Sequence, residues 1–294
     1  MAIKAGLPFA PPLRFAALRG IGAGVLLLGI SALRGRSLAP PRRLWPGIAG
    51  LALAGTVIGY GAMFLSPGRT GAGIASILGN TTPLFAIGLA AVVLGEPVGR
   101  AKVVAVALGF LGVSLIAYPA ITAAVRAGSL GVVLPLAAAA GVASESVLFK
   151  RLRVADERVQ VAGWQLLTGG VVLALVSLRL EGTATIVWSG RFVILLAYLT
   201  VAGTALPTVL WYRVLQEDEV SRLSLLLFLI PVLGLVLAVA VFDEAVGPTE
   251  TAGVIITIAA LITVARGTRR RRVGEQPASH SEAPQTDEKP STAG

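Results

Sequence analysis

One acidic residue of this chain lies well inside an apolar run: Glu145, in Ser144-Glu145-Ser146. Ionisable groups in hydrocarbon are costly and mark candidate functional sites. Such a carboxyl suits proton exchange or binding of a cationic group. The structural alternative is a carboxyl kept neutral, or paired near the headgroups with Lys150 or Arg151. From the middle of its run, 129–149, Glu145 lies about six residues, roughly 9 Å, towards Lys150. Gln165 on the next run is expected at a similar depth. Arg19 sits about one turn inside another run, where snorkelling competes with attraction of an anionic substrate group. Asn80-Thr81-Thr82, ahead of Pro83, is a polar step in mid-run; the matching position near Pro231 is Phe228-Leu229-Ile230, so a cavity between them would be polar on one side and apolar on the other. Each proline removes a backbone donor and kinks a helix, either as helix shape alone or as a bend beside a cavity. Tyr60, Trp164, Trp211 and Tyr212 lie towards run ends. Interfacial anchoring is the default there, with cavity lining as the alternative, chiefly for Tyr60 and Trp164.

Other chemistry is missing. Cys is absent and the only histidine, His280, lies in the tail, so thiolate metal sites and cysteine nucleophiles are excluded. No HExxH, G-x-S-x-G or G-x-x-x-x-G-K pattern occurs. The sequence therefore predicts no enzyme, no cofactor, no metal site and no ATP-driven pump. Glu96 and Glu244 resemble a carboxylate pair only on paper. Each closes one apolar run just before the next, on opposite membrane faces roughly 30 Å apart. A carboxylate is favoured near a helix N-terminus, so both are expected to bond amides that open the following helix.

The elements that position these residues are membrane helices. The 294 residues are 55% hydrophobic and 14% charged, with mean hydropathy +0.82, against roughly a quarter charged in soluble domains. Continuous apolar runs exclude alternating strands. Spans are expected at about 14–33, 45–65, 71–95, 101–118, 129–149, 160–180, 191–212, 220–242 and 249–265, near the roughly 20 residues that cross a bilayer. Small-residue spacings at Gly20/Gly24 and Gly55/Gly59 would let helices approach closely.

The runs repeat. Pro83 falls on Pro231, Glu96 on Glu244 and Ala54-Gly55-Thr56 on Ala202-Gly203-Thr204, all at an offset of 148. The reading is an all-α polytopic membrane protein of two five-helix repeats, 1–118 and 129–266, joined by a linker at 119–128. The second repeat has a helix at 129–149 whose counterpart would precede Met1. The chain is thus expected to open at the end of its first helix, a truncated version of a ten-helix carrier. Of the Lys and Arg residues in alternate loops, seventeen fall in one set and six in the other. The richer set is cytoplasmic, which also accounts for the net charge of +10 without nucleic acid. Five helices per repeat then make the repeats inverted, in the cell inner (plasma) membrane, with the C-terminus inside. The tail, 267–294, opens with RRRR and has few apolar residues, so it is expected to be disordered, its Arg run a stop-transfer flank or a contact for anionic lipid.

These residues resemble the EamA-like branch of the drug/metabolite transporter superfamily. The likeness rests on Pro83 with Gly95-Glu96 and Gly109/Gly112, on Pro231 with Asp243-Glu244 and Gly253, and on Pro12 to Arg19. It departs at the first helix, at Asp243 and at Glu145. The resemblance implies ten helices in two inverted repeats and efflux of a small organic metabolite or drug by alternating access. The lipid bilayer and a small-molecule substrate would be its partners, as a monomer or a homodimer; proton coupling is expected from the intramembrane position of Glu145, not from the resemblance. Asn80, Thr81, Pro83, Tyr60, Glu145, Trp164, Gln165, Pro231 and Arg19 are the candidate cavity residues. A proton-independent facilitator and a non-transporting assembly or sensor module are the alternatives.

Overall fold

A bilayer leaves a backbone no water to bond, so apolar runs fold as helices whose bonds are internal. The computed structural model describes residues 2–66, 78–116, 118, 129–154, 156–182, 185–242 and 247–274, and these contain helices and no strand. In chain order they are α1 (Ala2–Gly6), α2 (Pro12–Leu33), α3 (Arg42–Leu65), α4 (Thr82–Leu94), α5 (Arg100–Ile116), α6 (Ser129–Leu152), α7 (Arg158–Leu180), α8 (Gly190–Glu217), α9 (220–242) and α10 (Pro248–Gly274). Helices α2, α3, α6, α7 and α8 are long and apolar enough to cross a membrane. Their outward faces carry large apolar side chains, such as Ile194 at 72% and Leu175 at 59% exposure, as lipid contact requires. The protein is a multi-pass helical membrane protein.

Two close helix pairs frame the bundle, α2 against α7 and α5 against α10. With lipid as apolar as leucine, such contacts depend on packing of small residues. A Cβ on Gly24 would meet Leu167 N at 2.6 Å, and one on Gly112 would meet Gly253 O at 2.7 Å. Gly20 faces Gly170 in the same α2–α7 seam. Helix α6 then lies across α3 and α4. One core cluster includes Leu51, Val147, Leu166 and Tyr212; a second, towards the other end, gathers Phe15, Phe64, Leu173 and Phe192. Phe15 meets Phe64 edge-on at 5.1 Å.

The sequence-based spans differ from the structure in five of these helices. Helices α3 and α8 are each interrupted by a π-helical segment, Ala52–Tyr60 and Val201–Ala205, so both copies of Ala-Gly-Thr sit in a widened turn. Pro83 does not kink a helix: it occupies the first turn of α4, after a tight turn at Asn80-Thr81, where a missing N–H is no loss. Within α9 a 3-10 turn, Leu226–Phe228, stands just ahead of Pro231. Finally, α10 continues through 268–274; arginine is a good helix former, and positive charge suits a helix C-terminus. The remaining tail, the 119–128 linker, 71–77, Asp243 and Glu244 lie outside the described residues.

Candidate functional site

Helix α6 presents Glu145, half-buried, to helices α7 and α8. Oε1 of Glu145 accepts a hydrogen bond from Nε2 of Gln165 on α7 at 2.6 Å and another from the hydroxyl of Tyr212 on α8 at 2.8 Å. The Tyr212 hydroxyl also bonds Oε1 of Gln165. These three side chains close a triangle across α6, α7 and α8. Beside it, Trp211 donates from Nε1 to the Ser146 hydroxyl at 3.0 Å. The other carboxylate oxygen lies against Gly55 in the π segment of α3, where an added Cβ would sit 2.2 Å from Oε2. Only glycine leaves room for the carboxyl. Phe149 stacks on Tyr212 at 3.6 Å, tilted by 15°, and fixes the phenol.

A cationic group stands further along the bundle. Arg19 on α2 is 5% exposed. Its Nη2 donates to the Gly203 carbonyl at 2.8 Å and its Nε to the Thr204 hydroxyl, which in turn donates to Leu199 O at 2.8 Å. Its Cζ lies 4.8 Å from the ring centre of Tyr60 and 5.5 Å from that of Phe64, within cation–π range. Snorkelling is therefore not what this arginine does, because its head is bound inside the bundle. Tyr60 stands between the two groups, its hydroxyl facing the side chains of Arg19 and Thr208. Among the described residues, neither Glu145 nor Arg19 is in an ion pair. The arrangement holds an acid and a base apart, each bonded to neutral partners, with a tyrosine between.

The other candidates lie elsewhere. Trp164 turns to the loop after α2, donating to Leu38 O at 2.8 Å and packing on Trp45 at 5.1 Å. Thr81 and Thr82 are buried and bond the carbonyls of Leu78 and Gly79 in their own turn. Asn80 is half-buried at that turn, Pro83 is buried and Pro231 half-buried. Glu96 ends α4 but does not bond the helix that follows. Its carboxylate accepts from Val220 N at 2.8 Å and Ser221 N at 3.0 Å, opening α9. Lys150 is not paired with Glu145, since its ammonium donates to Leu215 O and Asp218 O at the end of α8. Next to it a cavity of about 710 Å³ is lined by Val93, Leu94, Glu96, Lys150, Arg151, Arg153, Glu217, Asp218 and Glu219. Lys150 is five residues beyond Glu145, about 7.5 Å by helical rise, and the lining of this cavity includes none of Glu145, Gln165 and Tyr212.

Sequence reasoning missed Tyr212, Thr204 and Gly203 as site residues. The repeated Ala-Gly-Thr triplet was the available signal, since it marks both π segments.

Comparison with known proteins adds the following. Residues 1–118 and 129–266 match the model of the EamA-like transporter family. A probable amino-acid metabolite efflux pump of Salmonella typhimurium is 29% identical over 282 residues, 92% of this chain and 91% of that protein. A WAT1-related chloroplastic protein of Arabidopsis thaliana is 27% identical over 274 residues; the match takes in 90% of this chain but only 65% of that protein's length. A solved crystal structure aligns with a TM-score of 0.75 at 20% identity over 92% of each chain, which shows likeness of fold.

Proposed function

The chain belongs to the EamA-like transporter family, and from that premise we propose that it is a secondary carrier exporting a small organic solute by alternating access. In this reading residues 1–118 and 129–266 are inverted repeats in the inner (plasma) membrane, with the C-terminus in the cytoplasm. The offset of 148 that aligns the two π segments supports the repeat. The excess of Lys and Arg in one set of alternate loops supports the orientation.

The observation that carries the proposal is the polar line Glu145–Tyr60–Arg19 through a bundle whose outer faces are apolar. Glu145, Gln165 and Tyr212 come from α6, α7 and α8, whereas Tyr60 and Arg19 come from α3 and α2. A solute held there touches both repeats, so rocking one against the other changes the side to which it is exposed. Its ammonium or other cationic group would meet Glu145 and its anionic group Arg19. The likeness to a probable amino-acid metabolite efflux pump of Salmonella directs the first trial to amino acids, with amines and nucleosides to follow. Proton coupling would use Glu145, which alternates between holding a proton and holding the solute's cationic group.

Glu145→Gln tests this, because glutamine keeps the shape and the hydrogen bonds but does not ionise. In proteoliposomes the variant is expected to retain solute exchange while losing acceleration by a pH gradient. PH-driven transport equal to that of the unmodified chain would remove Glu145 from the coupling. Exchange without any pH effect in the unmodified chain would identify a facilitator.

A further inference from the structure

Pro207 has no assigned part in the site, yet its position explains how a guanidinium is held inside the bundle. In an α-helix the amide of residue 207 would bond the carbonyl of residue 203. Proline has no amide proton, and the Gly203 carbonyl instead accepts from Nη2 of Arg19 at 2.8 Å. The turn just before Pro207 is π-helical, with Leu206 N bonded to Val201 O. Thr204, in the same turn, offers its hydroxyl to Nε of Arg19. A proline and a widened turn thus create two acceptors side by side, 184 and 185 residues along the chain from Arg19.

The other π segment provides the comparison. At an offset of 148, Thr204 matches Thr56 and Pro207 matches Gly59. Helix α7, which packs on that segment, has no basic residue between Arg158 and Arg179. The Thr56 side chain instead meets Gly169, where a Cβ would lie 2.4 Å from Cβ of Thr56, and the buried Thr56 hydroxyl has no hydrogen-bond partner. Where the proline is missing, the cation is missing too, and the threonine hydroxyl goes unused.

We infer that Pro207 is a positioning residue: lacking the amide that an α-helical turn would aim at the Gly203 carbonyl, it leaves that carbonyl to Arg19, which is held beside Tyr60. Its consequence for transport rests on the reading that Arg19 belongs to the solute site. The positioning itself does not.

A double-mutant cycle on the full chain in lipid nanodiscs decides the matter without a substrate, since residues that share a partner give non-additive effects. Arg19→Met is expected to lower Tm by about 3–6 °C. In the Pro207→Ala background the same change is expected to cost less than half of that, because the restored amide satisfies Gly203 whether or not the arginine is there. Additive effects within about 1 °C would overturn the inference. Uptake of L-leucine provides the functional arm: Pro207→Ala is expected to raise KM about tenfold, a change of about 1.4 kcal/mol, with kcat unchanged. If Arg19→Met leaves the transport of L-leucine, amines and nucleosides unchanged, Arg19 leaves the solute site, and the cycle still decides whether Pro207 positions it.

Discussion

Removing the carboxylate of Glu96 should loosen the start of α9, not the start of α5. The side chain closes α4 but bonds the amides of Val220 and Ser221, 124 and 125 residues away, at 2.8 and 3.0 Å, and the Ser221 hydroxyl as well. Those amides are two of the four donors that a helix N-terminus cannot satisfy for itself. Loss of an N-cap costs about 0.5–2 kcal/mol, and hydrogen bonds to a charged group contribute about 1.5–3 kcal/mol. The two figures describe the same bonds and do not add. Glu96 is half-buried, so solvent screening reduces the upper value, and about 2 kcal/mol is the reasoned cost of Glu96→Ala. Lys102 reinforces the junction, being 2.8 Å from Glu219, and remains in the variant.

For a chain of this size about 1 kcal/mol corresponds to about 2–4 °C in Tm. Glu96→Ala should therefore melt about 4–8 °C lower by tryptophan fluorescence in nanodiscs. Glu96→Gln, which keeps one acceptor, should lose about half as much. Hydrogen exchange localises the effect: the amides of 220–223 should exchange faster while those of 100–103 stay as they were. An unchanged Tm with Glu96→Ala, or faster exchange at 100–103 alone, would refute the capping argument.

Gly55→Ala places a methyl where the Glu145 carboxyl now lies, with Cβ 2.2 Å from Oε2; the expected outcome is about 1–3 kcal/mol of destabilisation and loss of solute exchange. Preserved exchange and an unchanged Tm would show that the carboxyl has room elsewhere. A single cysteine in place of Gly99 has a background free of other thiols, and its expected outcome is no labelling by an impermeant maleimide in intact cells and full labelling after lysis. Labelling in intact cells would reverse the orientation of the bundle.

The helices were legible because a bilayer admits few backbone structures, so long apolar runs translate almost directly into elements. The span read as 160–180 is Arg158–Leu180, and that read as 14–33 is Pro12–Leu33. The partners of Gln165 and Arg19 were less legible. Depth along a helix follows from residue counting, which put Gln165 level with Glu145. Which side chain meets which across the bundle depends on helix rotation and on the π segments, each of which shifts the register of everything after it. Arg19 illustrates this. Its binding to Thr204 and Gly203 needs the widened turn of α8, and nothing local to Arg19 announces that turn.

Tyr212 shows how a small boundary error propagates into chemistry. Ending the span at 212 places the tyrosine at the membrane surface, where anchoring is its ordinary role. The helix in fact runs to Glu217, five residues further, which moves Tyr212 about 7.5 Å inward by helical rise. At that depth a phenol needs a partner, and the neighbouring helix α6 offers Glu145. Trp211, one position earlier, is rotated by about 100° and bonds Ser146 instead. The adjacent pair Trp211-Tyr212 thus meets the adjacent pair Ser146-Glu145, and α8 is fixed in both height and rotation against α6. In the proposed carrier, a movement of α8 against α6 would have to break or carry these two bonds together.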